Sequence, residues 1–212
     1  MDEFAKPPPG VVLLAAHPNW RESRVNRLLL EGARTLPWVK VRDLYAIYPD
    51  YDIDVSAEQH AVAASQLVVL LHPVQWYSMP ALLKLWLDEV LRYGWAYGPG
   101  GTALQGKDVW LVATTGGTEA SYHPQSYNRY FFDAFLPPYE QTAALCGMRF
   151  LPPMLLHGAH RASAQEIAAH VQTFVERLGT YPDWPELEDL PACAARDVPH
   201  ADRPHGPRPG DR

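Results

Sequence analysis

Three short segments of this chain carry residue types that could grip a small molecule. The first runs from His17 to Asn26 and places an imidazole, the Ser23 hydroxyl, the Arg24 guanidinium, Val25 and the Asn26 amide ahead of an amphipathic run. A helix start exposes unpaired N–H groups and the positive end of its dipole, so this segment suits an anion. It holds neither Gly-x-Gly-x-x-Gly nor Gly-x-x-x-x-Gly-Lys-Ser/Thr, which disfavours a dinucleotide pyrophosphate and an ATP-type phosphate loop and leaves a single terminal phosphate. The competing reading is that Ser23 merely caps a helix and His17 bonds locally. The second segment, Pro73-Val74-Gln75-Trp76-Tyr77, puts two flat side chains where a buried run ends and a leucine-rich run begins. They could lie against a planar ring system, or equally belong to a core or a subunit interface. The third, Thr114-Thr115-Gly116-Gly117, offers hydroxyls and closely approachable backbone N–H groups directly after an apolar run. Such donors stabilise developing negative charge, as at the pyrimidine edge of a reduced flavin, although a plain turn explains the same residues.

What could bring these segments together is a parallel sheet. Val11–Ala16, Val39–Leu44, Leu67–Leu71, Val109–Thr114 and Phe150–Leu156 read as strands, the last with Pro152-Pro153 confined to an edge. Arg24–Leu36 with Ser23 as N-cap, Pro80–Arg92 and Ala164–Leu178 read as helices. Apolar strands alternating with helices imply an α/β fold, here a flavodoxin-like, doubly wound, five-stranded parallel sheet with helices on both faces. In that architecture ligands bind beyond the carboxyl ends of the strands, at the topological switch point. All three segments directly follow strands one, three and four. Their convergence is the strongest inference from pattern alone.

Composition bounds the rest. The chain has 212 residues and a net charge of −6, with no Lys/Arg cluster, which argues against nucleic acid. Cys146 and Cys193 have no metal spacing, and a reducing compartment fits them better than a disulfide framework. No apolar run reaches the ~18 residues of a membrane span, and the N-terminus lacks a signal-peptide pattern. A soluble, cytoplasmic protein is expected, or one held at the inner face of the membrane by a partner. The expected division is a domain over residues 1–178 and a Pro-rich tail over 179–212, where seven of the twenty-one prolines fall. That tail is expected to be solvated, unless Trp184, Leu187 and Leu190 dock onto the domain or a partner subunit. Asp50, Asp52 and Asp54 read as a solvated loop rather than a calcium loop, and His157 and His160 as ordinary histidines rather than a metal pair.

The segments "LYAIYPDYDID", "HPVQWYSMPALLKLWLDEVLRYGWAYGPGGTALQGK" and "TTGG" resemble those of flavodoxin-like NAD(P)H:quinone oxidoreductases, and more closely those of the ancillary subunits of bacterial glutathione-gated potassium-efflux systems. The resemblance runs from about Val11 to Leu178. It implies noncovalent FMN in a homodimer, NAD(P)H as co-substrate and a quinone as acceptor. It places His17 and Ser23–Asn26 around the phosphate and ribityl chain, Pro73–Tyr77 against the ring, and Thr114–Gly117 at the pyrimidine edge. Tyr122 takes the position of a tyrosine that assists hydride transfer. Asn128 stands where the family has a histidine, with His123 as a nearby substitute. Arg24 departs from the family pattern as a further phosphate partner. The helix 80–92 is apolar on more than one stripe, which suits the sheet on one side and a second subunit on another, with Trp95–Gly98 near that seam. Two functions follow: a flavin-dependent quinone reductase with ping-pong kinetics, or a regulatory subunit of a potassium antiporter. A one-electron carrier fits poorly, because such proteins tend to be strongly acidic and monomeric.

Overall fold

The computed structural model describes residues 10–191 and 198–199. The elements follow in the order β1 Val11–Ala15, α1 Asn26–Arg34, β2 Val39–Asp43, α2 Leu44–Ile47, α3 Val55–Ala63, β3 Leu67–Pro73, α4 Ala81–Val90, β4 Asp108–Thr114, α5 Pro137–Leu145, β5 Arg149–Leu156 and α6 Ala164–Thr180. Five parallel strands lie in the order β2-β1-β3-β4-β5. The strand order reverses between β1 and β3, so their carboxyl ends diverge and leave a crevice there.

The sheet forms because its central strands are long apolar runs, broken only by His72 in β3 and by Asp108 and Thr114 at the ends of β4, and side chains alternate between two cores. Val11, Leu13 and Ala15 join Leu29, Ile167 and Phe174 under α1 and α6. Val12, Leu14, Val68 and Leu70 join Leu82, Leu83, Trp86 and Tyr139 under α4 and α5. β5 is an edge strand, which accommodates Pro152 and Pro153. Its register with β4 shifts between Trp110 and Val112, and Trp110 Nε1 donates to the Pro152 carbonyl at 3.1 Å.

Several boundaries differ from the sequence expectation. α1 starts at Asn26, not Arg24, and Val25 occupies its N-cap without a side-chain cap. Ser23 Oγ instead accepts from Arg27 N–H at 3.1 Å, one turn further along. Leu44 begins α2 rather than ending β2, because Asp43 accepts from Ala46 N–H and turns the chain. α3 and α5 carry weak amphipathic patterns and were not expected as helices. Asp54 caps α3 by accepting from Ala57 N–H at 2.9 Å.

The carboxylate of Glu58 on α3 is fully buried. It takes a charged contact from Arg42, a hydrogen bond from the Tyr48 phenol at 2.7 Å and one from Trp86 Nε1 at 2.9 Å. A buried carboxylate survives only with its lone pairs satisfied in this way. The cluster ties β2, α3 and α4 together behind the crevice.

Residues 181–190 are packed, not solvated. Tyr181, Trp184 and Leu187 are buried in the core under α6, with Leu190 packed against it. The Arg177 guanidinium lies 3.9 Å from the Trp184 ring centroid and pairs with Glu186. Tyr181 donates to Asp108 at 2.8 Å, and Arg149 makes two bonds to the same carboxylate. Docking onto the domain itself is therefore what the described part of this segment does. Cys193 lies outside the described residues; Cys146 is a buried free thiol whose pKa burial pushes up to about 12.

Candidate active site

At the switch point an open hollow of about 260 Å³ lies at the carboxyl ends of β1, β3 and β4. Its wall combines all three segments: His17, Ser23, Arg24, Val25 and Asn26, then Pro73, Val74 and Gln75, then Thr114, Thr115 and Gly116. Glu22, Ala159 and His160 complete it, the last two from the β5–α6 connection, whose His160 reads in the sequence as an ordinary histidine.

Asn26 links the first and third segments, because its Nδ2 donates to Thr114 Oγ1 at 2.8 Å. Its Oδ1 is buried without a partner, an arrangement that costs about 1–3 kcal/mol unless a ligand supplies a donor. Among the described residues the backbone N–H groups of Arg24, Val25, Gly116 and Gly117 also have no protein partner. Donors of this kind suit a phosphate at the start of α1 and an electron-rich ring edge beside β4. His17 stacks on Trp20 with centroids 5.1 Å apart, and burial outweighs the nearby Glu22 and Asp43 carboxylates to lower its pKa. A neutral imidazole at this wall can donate or accept.

Arg24 lines the hollow but is already engaged. Its guanidinium donates to the His160 carbonyl at 2.8 Å and the Ala162 carbonyl at 3.0 Å, which ties the first segment to the β5–α6 connection.

The second segment turns sharply. Gln75 N–H donates to the Ser78 carbonyl at 2.9 Å and Ser78 N–H to the Gln75 carbonyl at 3.0 Å. The two residues between them, Trp76 and Tyr77, have φ of 48° and 66°. That left-handed pair is the geometry of a type I′ turn, which normally takes Asn and Gly. Two bulky aromatics held there are strained, and strain of this kind concentrates at ligand sites. Trp76 projects outward at 94% exposure, while Tyr77 stacks on Phe135 with centroids 5.2 Å apart. Both sit at the rim rather than in the hollow's lining, unlike Gln75.

Beyond the third segment the chain folds back over the rim. A Cβ on Gly117 would meet Ser121 Oγ at 2.6 Å and Tyr127 Oη at 3.0 Å, so glycine lets this loop lie down without displacing those side chains. Tyr122 is buried against Phe132 and His157, and burial raises its phenol pKa. Asn128 donates to Ser121 Oγ at 2.9 Å and holds the loop. His123 is exposed, edge-on to Phe131, with Nδ1 accepting from Gln125 N–H at 3.2 Å. It belongs to the turn, apart from the hollow. His157 emerges as the histidine beside Tyr122. Its position after β5 gave no sequence signal, since only the pairing of β4 with β5 brings it near.

The comparisons agree with this geometry. The sequence model of a family with the flavodoxin-like fold matches residues 10–178. The glutathione-regulated potassium-efflux system ancillary protein KefF of Citrobacter koseri is 44% identical over 168 residues, covering 79% of this chain and 94% of that protein. General stress protein 14 of Treponema denticola, solved in complex with FMN, is 35% identical with a TM-score of 0.77 over 81% of this chain and 99% of that one. A chain solved under the name of a thermophilic tryptophan halogenase from Streptomycin violaceusniger is 39% identical with a TM-score of 0.75, covering 79% and 97%. A provisionally named quinone reductase from Klebsiella pneumoniae is 25% identical with a TM-score of 0.68, covering 82% and 85%. These names span different chemistries on one architecture, so fold alone does not decide activity. The chain belongs to the flavodoxin-like family whose model spans its sheet and all three of the segments lining the crevice.

Proposed function

We propose that this protein is an FMN-dependent NAD(P)H:quinone oxidoreductase that transfers two electrons by a ping-pong mechanism. The observation that carries the reading is the hollow at the carboxyl ends of three strands, in whose wall Asn26 stands with a buried Oδ1 that has no protein partner. The similarity to an FMN-bound chain and to a quinone reductase supports it. The Arg24 and Val25 N–H groups would hold the phosphate, with Ser23 and His17 beside it. Gln75 and the strained Trp76-Tyr77 turn would flank the ring, and the N–H groups of Gly116 and Gly117 would face its pyrimidine edge. Bound FMN would supply the two-electron hydride chemistry. The protein's part is to orient the rings, exclude water and provide a proton from Tyr122 to the substrate oxygen. NAD(P)H and the quinone would use the same open face in turn.

A homodimer would join through the half-buried Leu85, Leu87 and Leu91 of the α4 region, with Trp95–Gly98 near the seam. Steady-state rates with NADH or NADPH against a quinone panel test the proposal: parallel double-reciprocal lines are expected, and intersecting lines would contradict ping-pong turnover. A second reading, a regulatory subunit of a potassium antiporter, is favoured by the 44% identity to KefF. Co-purification with a membrane antiporter would support it, and the two readings share one pocket.

A further inference from the structure

The geometry points to the Arg24 side chain as a latch that holds the β5–α6 connection in place as a wall of the hollow, and so governs flavin retention without acting on the phosphate. This inference rests on the FMN-dependent reading above and deepens it for one residue. By its position in the sequence Arg24 reads as a further phosphate partner, since a guanidinium fork matches a phosphate well. The structure turns that fork elsewhere. Nη1 donates to the His160 carbonyl at 2.8 Å and Nη2 to the Ala162 carbonyl at 3.0 Å. Both acceptors are neutral, and they lie 136 and 138 residues further along the chain. The side chain therefore cross-links two loops that meet only in the folded protein.

The connection, residues 157–163, is fastened at its start to the loop after β4. Gly158 N–H donates to the Gly117 carbonyl at 2.8 Å, and Ala159 N–H to the Thr115 carbonyl at 2.9 Å. The chain then turns on itself. Gly158 has φ of 66°, and the N–H groups of Arg161 and Ala162 both donate to its carbonyl, at 2.8 and 3.1 Å, before Ser163 caps α6. Arg24 grips two carbonyls of this turn at once, which suits a planar group with several donors in fixed directions. The turn it secures places Ala159 and His160 in the wall of the hollow. The His160 ring lies against Gly116, where a Cβ would come within 3.3 Å of Nε2. Gly116 is one of the donors assigned above to the ring edge. One residue thus has two separate parts to play: the Arg24 backbone N–H faces the phosphate, and its side chain sets the wall beside the ring.

Riboflavin, which has the ring and ribityl chain of FMN but no phosphate, separates wall from charge. At a salt concentration that screens distant charges, Arg24→Ala should weaken FMN and riboflavin by the same factor, about three- to tenfold in Kd. A loss confined to FMN would overturn the inference, because Arg24 would then be a phosphate ligand; no loss of either flavin would overturn it too. Arg24→Lys keeps the charge but replaces the fork by a point donor, so both flavins should bind it as weakly as they bind Arg24→Ala. Full FMN affinity in Arg24→Lys would contradict the latch. In flavin-free protein, amide hydrogen exchange followed by NMR should show Arg161 and Ala162 about three- to tenfold less protected in Arg24→Ala, with Gly158 and Ala159 unchanged. Equal protection at Arg161 and Ala162 in the two proteins would refute the latch directly. Failure of the unsubstituted protein to bind FMN would end the functional reading, while the exchange arm still tests the latch on its own.

Discussion

Replacing Trp76 by glycine should stabilise the FMN-free protein while weakening FMN binding. The left-handed backbone at φ 48° costs a non-glycine residue about 1–2 kcal/mol. The indole is 94% exposed in the single chain, so its removal forfeits almost no burial. Glycine's extra freedom in the unfolded chain offsets about 0.5–1 kcal/mol of the relief. The net gain is roughly 0.5–1 kcal/mol, which for a domain of this size raises Tm by about 1–4 °C. If the indole flanks the flavin, its loss removes an aromatic contact of about 0.5–1.5 kcal/mol, or roughly two- to tenfold in Kd. Calorimetry of FMN-free protein and a fluorescence titration with FMN read the two effects. A fall in Tm, or conversion of a dimer to monomers on a sizing column, would refute the reasoning, because Trp76 would then be packed at a subunit interface instead of held in strain for a ligand.

Three further outcomes are expected. Glu58→Gln breaks a buried ion pair while leaving Arg42 beside it, and should cost about 3–5 kcal/mol in urea unfolding; a loss under 1 kcal/mol would show the carboxylate is not needed there. His72 is wholly buried, with its pKa pushed down to about 4 from 6.5, so it stays neutral when folded. The unfolded chain binds its proton first as pH falls, so stability should drop by about 3 kcal/mol between pH 6.5 and 4, and His72→Gln should flatten that fall; an equal slope in the variant would contradict the assignment. Trp184→Ala should cost about 3–5 kcal/mol, as for a core tryptophan, and a neutral result would mean that residues 181–190 are not docked.

The fold was legible because β1, β3 and β4 are buried on both faces and therefore read as unbroken apolar runs. The site was legible where a segment follows such a strand: His17–Asn26, Pro73–Gln75 and Thr114–Gly116 meet at one hollow. Three things were not legible. Nearly aperiodic helices such as α3 and α5 are held by tertiary contacts, Glu58 with Arg42 and Tyr139 with the core, which local pattern does not encode. The docking of residues 181–190 sets Trp184 edge-on against Trp110 with Arg177 over both rings, a long-range arrangement in a proline-rich stretch. His157 and His160 reach the rim through the β4–β5 register and the Arg24 bonds to the His160 and Ala162 carbonyls, so their spacing in the chain carried no sign of it.

The most direct test of the central claim is to titrate the purified protein with FMN, dialyse it and determine the bound flavin per chain. One yellow, noncovalently held FMN per polypeptide is predicted, lost when Asn26→Asp places a carboxylate in the wall of the hollow. A chain that emerges colourless, or binds FMN equally well with Asn26→Asp, would contradict the claim that these strand ends build a flavin site.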